Sequence, residues 1–512
     1  MKTNFTRYFL FVLSLILQSL TVQAQAPAID WAKAYGGSLN DYCFNVKQTP
    51  DGGYILVGSS RSSDFDVSNN YGESDGWVIK TDASGNIQWE KNYGGSNLDA
   101  ILDVVILDND AGYVFLAQTN SNDGDLSPAP HNHIKTWIFQ TDMSGIITND
   151  LVMGTVAGNN IPYSFLQNDD GDFIIISEQF QNIWMTKTTG NLNPVWQKFY
   201  GGSLHEYPSK IKQTHDGGYI FIGSSQSNDI DVGGNYGESD IWVVKTNEFG
   251  TIEWEQNYGG SNWDYGRDII QNPDGGYMFV GYSGSNDFDF DNNYGLLDIW
   301  VVKINESGEI LWKQNYGGSN YDQVTSIISS PSGGYIVSGA TDSNDGDVTG
   351  HIAGFDFWVF EIDGQGNLLW QKPLGGTEED ISYSALLNSN NQIVLAGQSN
   401  SNNVDVSGNH GGTDIWLAVL QSTMDISENH FNDITIFPNP VSDKLQVSFT
   451  NQIPDKISLY TVYGQEITPR LYIRYSDADQ RFTIDVSNLA SGTYILKTDT
   501  LDSTHCFKIV KK

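Results

Sequence analysis

The chain repeats one tryptophan-marked unit at a nearly fixed interval. Six tryptophans open the pattern W-x-x-x-x-G-G-[ST], and the intervals between them are 58, 107, 58, 58 and 58 residues. They are Trp31, Trp89, Trp196, Trp254, Trp312 and Trp370. A period of this size indicates structural units that stack on their neighbours, because one such unit is too small to bury both of its faces.

A second tryptophan marker gives the number of units. It recurs after 60, 47, 58, 58, 58 and 58 residues. Its members are Trp77, Trp137, Trp184, Trp242, Trp300, Trp358 and Trp416. The chain therefore contains seven copies, and the third copy is the short one that lies within the 107-residue interval.

Each unit carries four strand patterns. In the fourth copy, short apolar or alternating segments occur at 208–214, 219–224, 240–246 and 251–258. Glycines such as Gly217 lie between them, where a hairpin needs a positive φ. The pattern predicts an all-β chain of four-stranded units, and the strand at 219–224 is apolar enough to be buried on both faces.

The two ends of the repeat complement each other. Residues 29–37 read as a fourth strand that has no preceding three strands, and the last copy stops after its third strand at 414–420. The sequence therefore predicts a seven-bladed β-propeller that is closed by the N-terminal strand. The alternative is an open solenoid of sheets.

One extended motif carries a family resemblance. The pattern YGGS-x-x-D, followed by DGGYI-x-x-G-x-[ST]-x-S, is clearest at 258–285 and extends over 29–421. It resembles the bacterial seven-bladed β-propeller repeat family, and this resemblance implies the same fold. The third copy departs from it, with Met153-Gly154-Thr155 in place of GGS and no polar loop.

The N-terminus has the features of a secretory signal peptide. Lys2 and Arg7 precede an apolar run at 9–20, and small residues at 22–24 predict cleavage after Ala24. The alternative, a transmembrane anchor, needs about 20 apolar residues, and this run is shorter. We expect residues 1–24 to be removed, and we expect no transmembrane segment after cleavage.

The repeat ends at residue 421, and a different domain follows. Residues 422–433 read as a polar linker, and 434–512 contain short alternating strands that predict a small Ig-like β-sandwich. The motifs at 437–440 (FPNP) and 491–496 (SGTYIL), with the basic end at 508–512, resemble the type A C-terminal sorting domain of the type IX secretion system. The alternative is an ordinary adhesive sandwich.

The sorting-domain resemblance has consequences for location. It implies that the type IX secretion machinery recognises the C-terminal domain and exports the chain across the outer membrane of a diderm bacterium. The protein would then be secreted or held at the outer-membrane surface.

The charge of the chain excludes several partners. Asp and Glu outnumber Lys and Arg by 62 to 26, which gives a net charge of -36. Nucleic acids and anionic membrane surfaces need a basic face, so we expect neither as a partner.

The loop between the second and third strands of each unit carries paired aspartates, which suggest a calcium site. Carboxylates two residues apart on a polar loop can converge on Ca²⁺, which takes 6–8 oxygen ligands. The candidate ligands are Asp64, Asp66, Asp229, Asp231, Asp287, Asp289, Asp345 and Asp347. The alternative is that these residues form Asx-turns and keep the loops soluble. Strand order places the loops on one face with Asp41, Asp99, Asp264, Asp322 and Asp380, which predicts an acidic face.

Enzyme signatures are missing from the sequence. It contains no H-E-x-x-H, no G-x-S-x-G and no phosphate-binding loop. The sequence therefore predicts a non-catalytic binding or adhesion scaffold for a glycan or a protein. The alternative is a glycan-active hydrolase or lyase that uses carboxylates at the centre of the propeller.

Overall fold

The structure, a computed structural model, describes most of the chain in two compact units. The described residues are 26–126, 133–155, 157–422, 434–437, 441–449, 456–461, 467–468, 471–476, 481–490, 492–499 and 504–512. The first unit ends at Gln421 and the second begins at Ser422. The predicted signal peptide at 1–24 and residues 423–433 of the predicted linker lie outside the described residues.

The described part of the first unit consists of seven antiparallel four-stranded sheets. Sheet 7 is the only one that takes a strand from the start of the chain, β1 (Ile29–Tyr35). Sheet 1 contains β2 (Asp41–Gln48), β3 (Tyr54–Ser60), β4 (Asp75–Thr81) and β5 (Ile87–Tyr93). Sheet 2 contains β6 (Asp99–Leu107), β7 (Gly112–Thr119), β8 (Lys135–Thr141) and β9 (Ile147–Met153). Sheet 3 contains β10 (Asn160–Gln167), β11 (Phe173–Gln179), β12 (Asn182–Thr188) and β13 (Pro194–Tyr200).

The remaining sheets follow in chain order. Sheet 4 contains β14 (Glu206–Gln213), β15 (Tyr219–Ser225), β16 (Asp240–Thr246) and β17 (Ile252–Tyr258). Sheet 5 contains β18 (Asp264–Gln271), β19 (Tyr277–Ser283), β20 (Asp298–Ile304) and β21 (Ile310–Tyr316). Sheet 6 contains β22 (Asp322–Ser329), β23 (Tyr335–Thr341), β24 (Asp356–Ile362) and β25 (Leu368–Leu374). Sheet 7 contains β26 (Asp380–Leu387), β27 (Ile393–Ser399) and β28 (Asp414–Leu420), together with β1.

The middle strands of each sheet form the core. Every residue of β3 and β4 is buried, whereas the outer strand β5 is largely half-buried. Strands buried on both faces read as continuous apolar runs, and the sequence shows this at 219–224. The first strands carry a bulge that shifts their register, as between Cys43 and Asn45.

The N-terminal strand completes the last sheet. β1 pairs antiparallel with β28, so that Ala34 lies opposite Trp416. The Gln421 N–H also donates a hydrogen bond of 2.8 Å to the Ala28 carbonyl oxygen. The first strand of the chain therefore shares a sheet with the last strand of the repeat.

Consecutive sheets are joined by a repeated contact between an outer strand and the next hairpin. The Tyr35 hydroxyl at the end of β1 donates to the Gly85 carbonyl oxygen of sheet 1 at 2.7 Å, and Tyr93 does the same to Gly145 of sheet 2. A Cβ on Gly85 would lie only 2.7 Å from the Trp31 ring, so the glycine lets the indole pack on the turn. The repeated tryptophans are thus packing residues between and within sheets.

The predicted strands of the fourth copy are largely correct. The third strand, Asp240–Thr246, has the predicted bounds, and the first strand begins at Glu206 rather than 208. In the short third copy, Phe180 and Gln181 replace the polar loop with a two-residue turn in which both have positive φ. A 3₁₀ helix, Asp108–Asp110, lies between β6 and β7. In the described part of the chain, no helix has the length and hydropathy that a bilayer crossing requires.

The second unit contains two antiparallel sheets. One has four strands, in the order β29 (Ile434–Phe437), β30 (Lys444–Phe449), β33 (Arg481–Asp485) and β32 (Tyr472–Ser476). The other has three strands, β31 (Lys456–Thr461), β34 (Gly492–Asp499) and β35 (Thr504–Lys511). Buried residues of both sheets, including Leu445, Leu459 and Leu496, form one hydrophobic cluster. The sequence predicts strands at 445–449, 456–460, 482–486 and 493–498 and a last strand that contains Cys506, which correspond to β30, β31, β33, β34 and β35. It does not predict β29 and β32, because their alternation is too short or irregular to stand out.

Candidate functional site

In five of the seven sheets, the connection from the preceding sheet is tied to a buried aspartate at the start of the first strand. The Asp41 carboxylate is fully buried, and it accepts hydrogen bonds from the Gly37 N–H at 2.7 Å and the Ser62 hydroxyl at 2.9 Å. The same arrangement recurs at Asp264, which accepts from Gly260 and Ser285. These aspartates were expected on an acidic face, but they are buried acceptors and add no exposed charge.

The predicted calcium ligands also accept hydrogen bonds from the backbone of these connections. The first aspartate of each pair accepts a serine N–H, at 2.8 Å from Ser38 to Asp64. The second accepts a glycine N–H, at 3.3 Å from Gly36 to Asp66. The other three pairs, Asp229 and Asp231, Asp287 and Asp289, and Asp345 and Asp347, make the same two contacts.

The geometry explains why aspartate occurs at these positions without a metal. Each pair lies in a different sheet and clamps one inter-sheet connection through backbone N–H groups, as in the Asx-turn alternative. Within the described residues, no group of three or more His, Cys, Asp or Glu side chains is arranged to hold a metal ion. Calcium binding by the eight aspartates stays a prediction.

The residue between the two aspartates, or between Asn403 and Asp405 in the last copy, adopts a left-handed backbone conformation and faces solvent. Phe65, Ile230, Phe288 and Val404 have φ between 52° and 63°, and their side chains are 60–79% exposed. In two other copies the position is glycine, Gly124 or Gly346, also with positive φ. For a bulky or β-branched residue this conformation is a genuine outlier, and such strain is typical of functional positions.

The exposed apolar side chains concentrate at one end of the sheets. We call this end the loop face; it consists of the connections from each fourth strand to the next first strand and from each second strand to the third. Among the described residues of the first unit, fifteen of the twenty exposed large apolar side chains lie there. They are Leu39, Phe65, Tyr71, Leu98, Phe180, Leu204, Ile230, Tyr236, Trp263, Phe288, Tyr294, Leu296, Tyr321, Ile352 and Val404. The other five are Ile146, Val195, Phe199, Phe249 and Leu311.

Some of these side chains stack across neighbouring sheets. The Tyr236 ring of sheet 4 stacks on the Phe288 ring of sheet 5, with centroids 5.0 Å apart. Phe65 of sheet 1 packs on His410 of sheet 7 with centroids 4.8 Å apart. The loop face therefore presents aromatic platforms, which are the amphipathic surfaces that recognition sites favour.

Pairs of buried aspartates lie beneath the loop face, and the spacing of these residues in the sequence does not reveal the pairing. Carboxyl oxygens of Asp240 and Asp264 lie 2.6 and 2.7 Å from the position that a Cβ on Gly259 would occupy. Burial, and then Asp264 and Asp289, raise the pKa of Asp240 to about 7 against the lowering effect of the Tyr236 N–H. The other pairs are Asp41 with Asp414, Asp75 with Asp99, Asp298 with Asp322, and Asp356 with Asp380.

The short third copy contributes to a cluster of polar side chains that has no counterpart in the sequences of the other copies. Glu178 at the end of β11 has its Oε1 atom 3.0 Å from the Nε2 atom of His205, and it accepts a hydrogen bond from the Tyr163 hydroxyl. Burial and the neighbouring Glu178 raise the pKa of Tyr163 to about 12. The sequence alone does not indicate these three residues, although the departure of the third copy from the repeat is a signal that could have led to them.

The comparisons with known proteins bear on the second unit. Residues 435–512 match the family described as "Secretion system C-terminal sorting domain". This part of the chain is a sorting domain. Type IX domains of this kind mark proteins that are secreted to the cell surface or outer membrane of Bacteroidetes-type diderm bacteria. No curated protein sequence matches the chain.

Solved structures resemble the repeat only distantly. BBS1N, solved in complex with ARL6DN, is 10% identical with a TM-score of 0.42, covering 76% of this chain and 96% of that one. Sqt1 from Chaetomium thermophilum is 11% identical with a TM-score of 0.40, covering 76% of this chain and 100% of that one. A protein of unknown function from Bacteroides caccae is 12% identical with a TM-score of 0.34, covering 57% and 94%. Likenesses of this size carry no information about what the chain does.

Proposed function

We propose that the seven sheets close into a seven-bladed β-propeller and that β1 is the outer strand of the last blade. The pairing of β1 with β28 supports this arrangement. So does the 3.6 Å approach of Lys210 in sheet 4 to Asp103 in sheet 2, because side chains from non-adjacent sheets meet around a central axis. In the same proposal, residues 1–24 are the signal peptide, 25–421 the propeller, 422–433 the linker and 434–512 an Ig-like sandwich.

The function that the geometry supports best is a non-catalytic binding scaffold, exported by the type IX secretion machinery and displayed or released outside the cell. The observation that carries it is the concentration of exposed apolar side chains on the loop face. A large exposed apolar patch with a polar rim is typical of an interaction site. The aspartate clamps hold these side chains on fixed connections, which reduces the entropy lost on binding.

The charge of the chain restricts the ligand. With a net charge of -36, the protein repels polyanions, and the exposed Asp64 and Asp229 add negative charge on the loop face itself. The ligand we propose is therefore a neutral or cationic glycan, or a protein surface of the same character.

A glycan array, paired with a pull-down of cell-surface proteins, tests the scaffold with two matched variants. Phe288→Ser removes a loop-face ring that is 60% exposed, and Phe249→Ser removes a ring that is 63% exposed at the opposite end of the sheets. We expect the first variant to lose binding and the second to bind like the wild type. Equal binding by both variants would contradict the assignment of the loop face.

The alternative function is a hydrolase or lyase that acts on glycans. The inner-strand carboxylates Asp103 and Asp268 are buried and already hydrogen-bonded, whereas Glu178 at the end of β11 lies 3.0 Å from His205. A hydrolysis screen on the glycans that bind therefore includes Glu178→Gln. If the wild type forms product and this variant does not, the protein is an enzyme and not a non-catalytic binding scaffold.

A further inference from the structure

Five charged side chains from four different sheets converge on the inner strands. Lys47 lies on β2, Asp103 on β6, Lys210 and Lys212 on β14, and Asp268 on β18. The Nζ atom of Lys210 is 3.6 Å from Asp103 Oδ2, and that of Lys212 is 3.7 Å from Asp268 Oδ1. In a chain of net charge -36, three lysines at one place are a local exception.

The two carboxylates of this cluster are already occupied and buried. Asp103 accepts hydrogen bonds from the Asn45 amide at 2.6 Å and from the Val104 N–H at 2.9 Å. Asp268 accepts from the N–H groups of Ile269 at 2.9 Å and Ile327 at 3.2 Å. The two carboxylates are therefore hidden from solvent, and the charged groups that face water are the lysine ammonium groups.

The lysines remain accessible. The side chains of Lys210 and Lys212 are 27% and 37% exposed, and that of Lys47 is exposed. Within the described residues, Lys47 makes no ion pair. Desolvation by the surrounding protein lowers the pKa of Lys47, and Lys210 and Lys212 lower it further, while Asp103 and Asp268 oppose the shift. The two carboxylates therefore do not fully compensate the ammonium group of Lys47.

The fold does not require lysine at these positions. Lys47 and Lys212 occupy the same place in their strands, the seventh residue from the buried aspartate or glutamate that begins each of them. In the other five copies the equivalent residue is apolar: Val105, Leu166, Ile270, Ile328 and Leu386. A departure from the repeat that adds under-compensated charge to a half-enclosed place costs stability, so it points to a ligand.

We propose that Lys47, Lys210 and Lys212 form a binding site for a phosphate-sized oxyanion. Ammonium groups are compact charges with three donors each, and they bind phosphate as point charges. The site lies toward the ends of the first strands that are remote from the loop face. It is therefore separate from the aromatic platforms, and its ligand is either free phosphate or a phosphate group on a small sugar.

The test uses the full mature chain with inorganic phosphate as the first probe and a sugar phosphate as the second. Calorimetric titration against phosphate, with sodium chloride at matched ionic strength, should show saturable binding. Lys47→Gln should weaken the affinity by about tenfold, as expected for the loss of one charged hydrogen bond. Lys47→Arg should keep most of it, because the charge is retained.

Lys33→Gln is the matched control. Lys33 lies on the outer strand β1, where it donates to Asn86 at 2.6 Å, so this variant makes the same change of net charge elsewhere. It should bind phosphate like the wild type. Equal affinities of the Lys47→Gln and Lys33→Gln variants, or no saturable binding by either probe, would overturn the proposal. Binding of the sugar phosphate alone would assign the site to a phosphorylated glycan.

Discussion

Asp240→Asn should stabilise the first unit at neutral pH. Asp240 is fully buried beside Asp264 and Asp289, and its Oδ1 atom has no hydrogen-bond partner among the residues that the structure describes. An asparagine can still accept the Tyr236 N–H, which lies 2.7 Å from Oδ2, and its amide can donate to Asp264. The third copy already carries an asparagine at the equivalent position, because Asn182 begins β12 and lies across Gly201 from Glu206.

The size and the pH window follow from the raised pKa. The pKa of Asp240 rises from 3.8 to about 7, so folding takes up a proton between these values. Below pH 3.8, Asp240 therefore does not reduce the free energy of unfolding of the wild type. As the pH rises from 3.8 toward 7, the same carboxyl group lowers that free energy progressively. At 1.36 kcal/mol for each pKa unit, the loss amounts to at most about 4 kcal/mol at pH 8. Asparagine does not titrate and avoids the loss.

Urea unfolding followed by tryptophan fluorescence measures the effect cleanly. All 14 tryptophans lie between Trp31 and Trp416, so the signal reports on the first unit alone. The Asp240→Asn variant should match the wild type near pH 4 and exceed it increasingly up to pH 8. Glu73→Gln removes the same charge from an exposed loop residue and should show little change. A variant that is no more stable than the wild type at pH 8 would contradict the raised pKa of Asp240.

Three further predictions follow from the structure. Ile230→Gly should raise the stability of the first unit by about 1 kcal/mol in urea unfolding, because it relieves a left-handed conformation, and it should weaken ligand binding; a less stable variant would contradict the strain argument. If the paired aspartates such as Asp64 and Asp66 bind calcium, a chelator should lower the melting temperature at low salt, and an unchanged temperature would count against the site. Deletion of 434–512 should trap the protein in the periplasm, as fractionation would show, whereas normal surface display would refute the sorting role.

The repeat and its strands could be predicted because each depends on local pattern. The apolar run at Tyr219–Ser225 and the glycines around it suffice to indicate a buried strand and its turns. The pairing of β1 with β28 also followed from the sequence, because the first and last copies lack complementary strands.

The roles of individual carboxylates could not be predicted from spacing. Asp64 and Asp66 look like paired ligands, but each accepts an N–H from a connection more than twenty residues earlier. The burial of Asp240 depends on contact with the next sheet, and the lysine cluster depends on sheets that are distant in sequence. The local sequence pattern does not determine where a side chain points or which residue of the adjacent sheet it contacts.

The position of β1 has a consequence for how this protein matures. With residues 1–24 as the signal peptide, as proposed above, export through the inner membrane would deliver Ile29–Tyr35 well before its partner strand Asp414–Leu420. Until then both segments have open hydrogen-bonding edges, which are sites for mispairing with other chains. Under the same proposal, proteins that shield strand edges in the periplasm would reduce this mispairing.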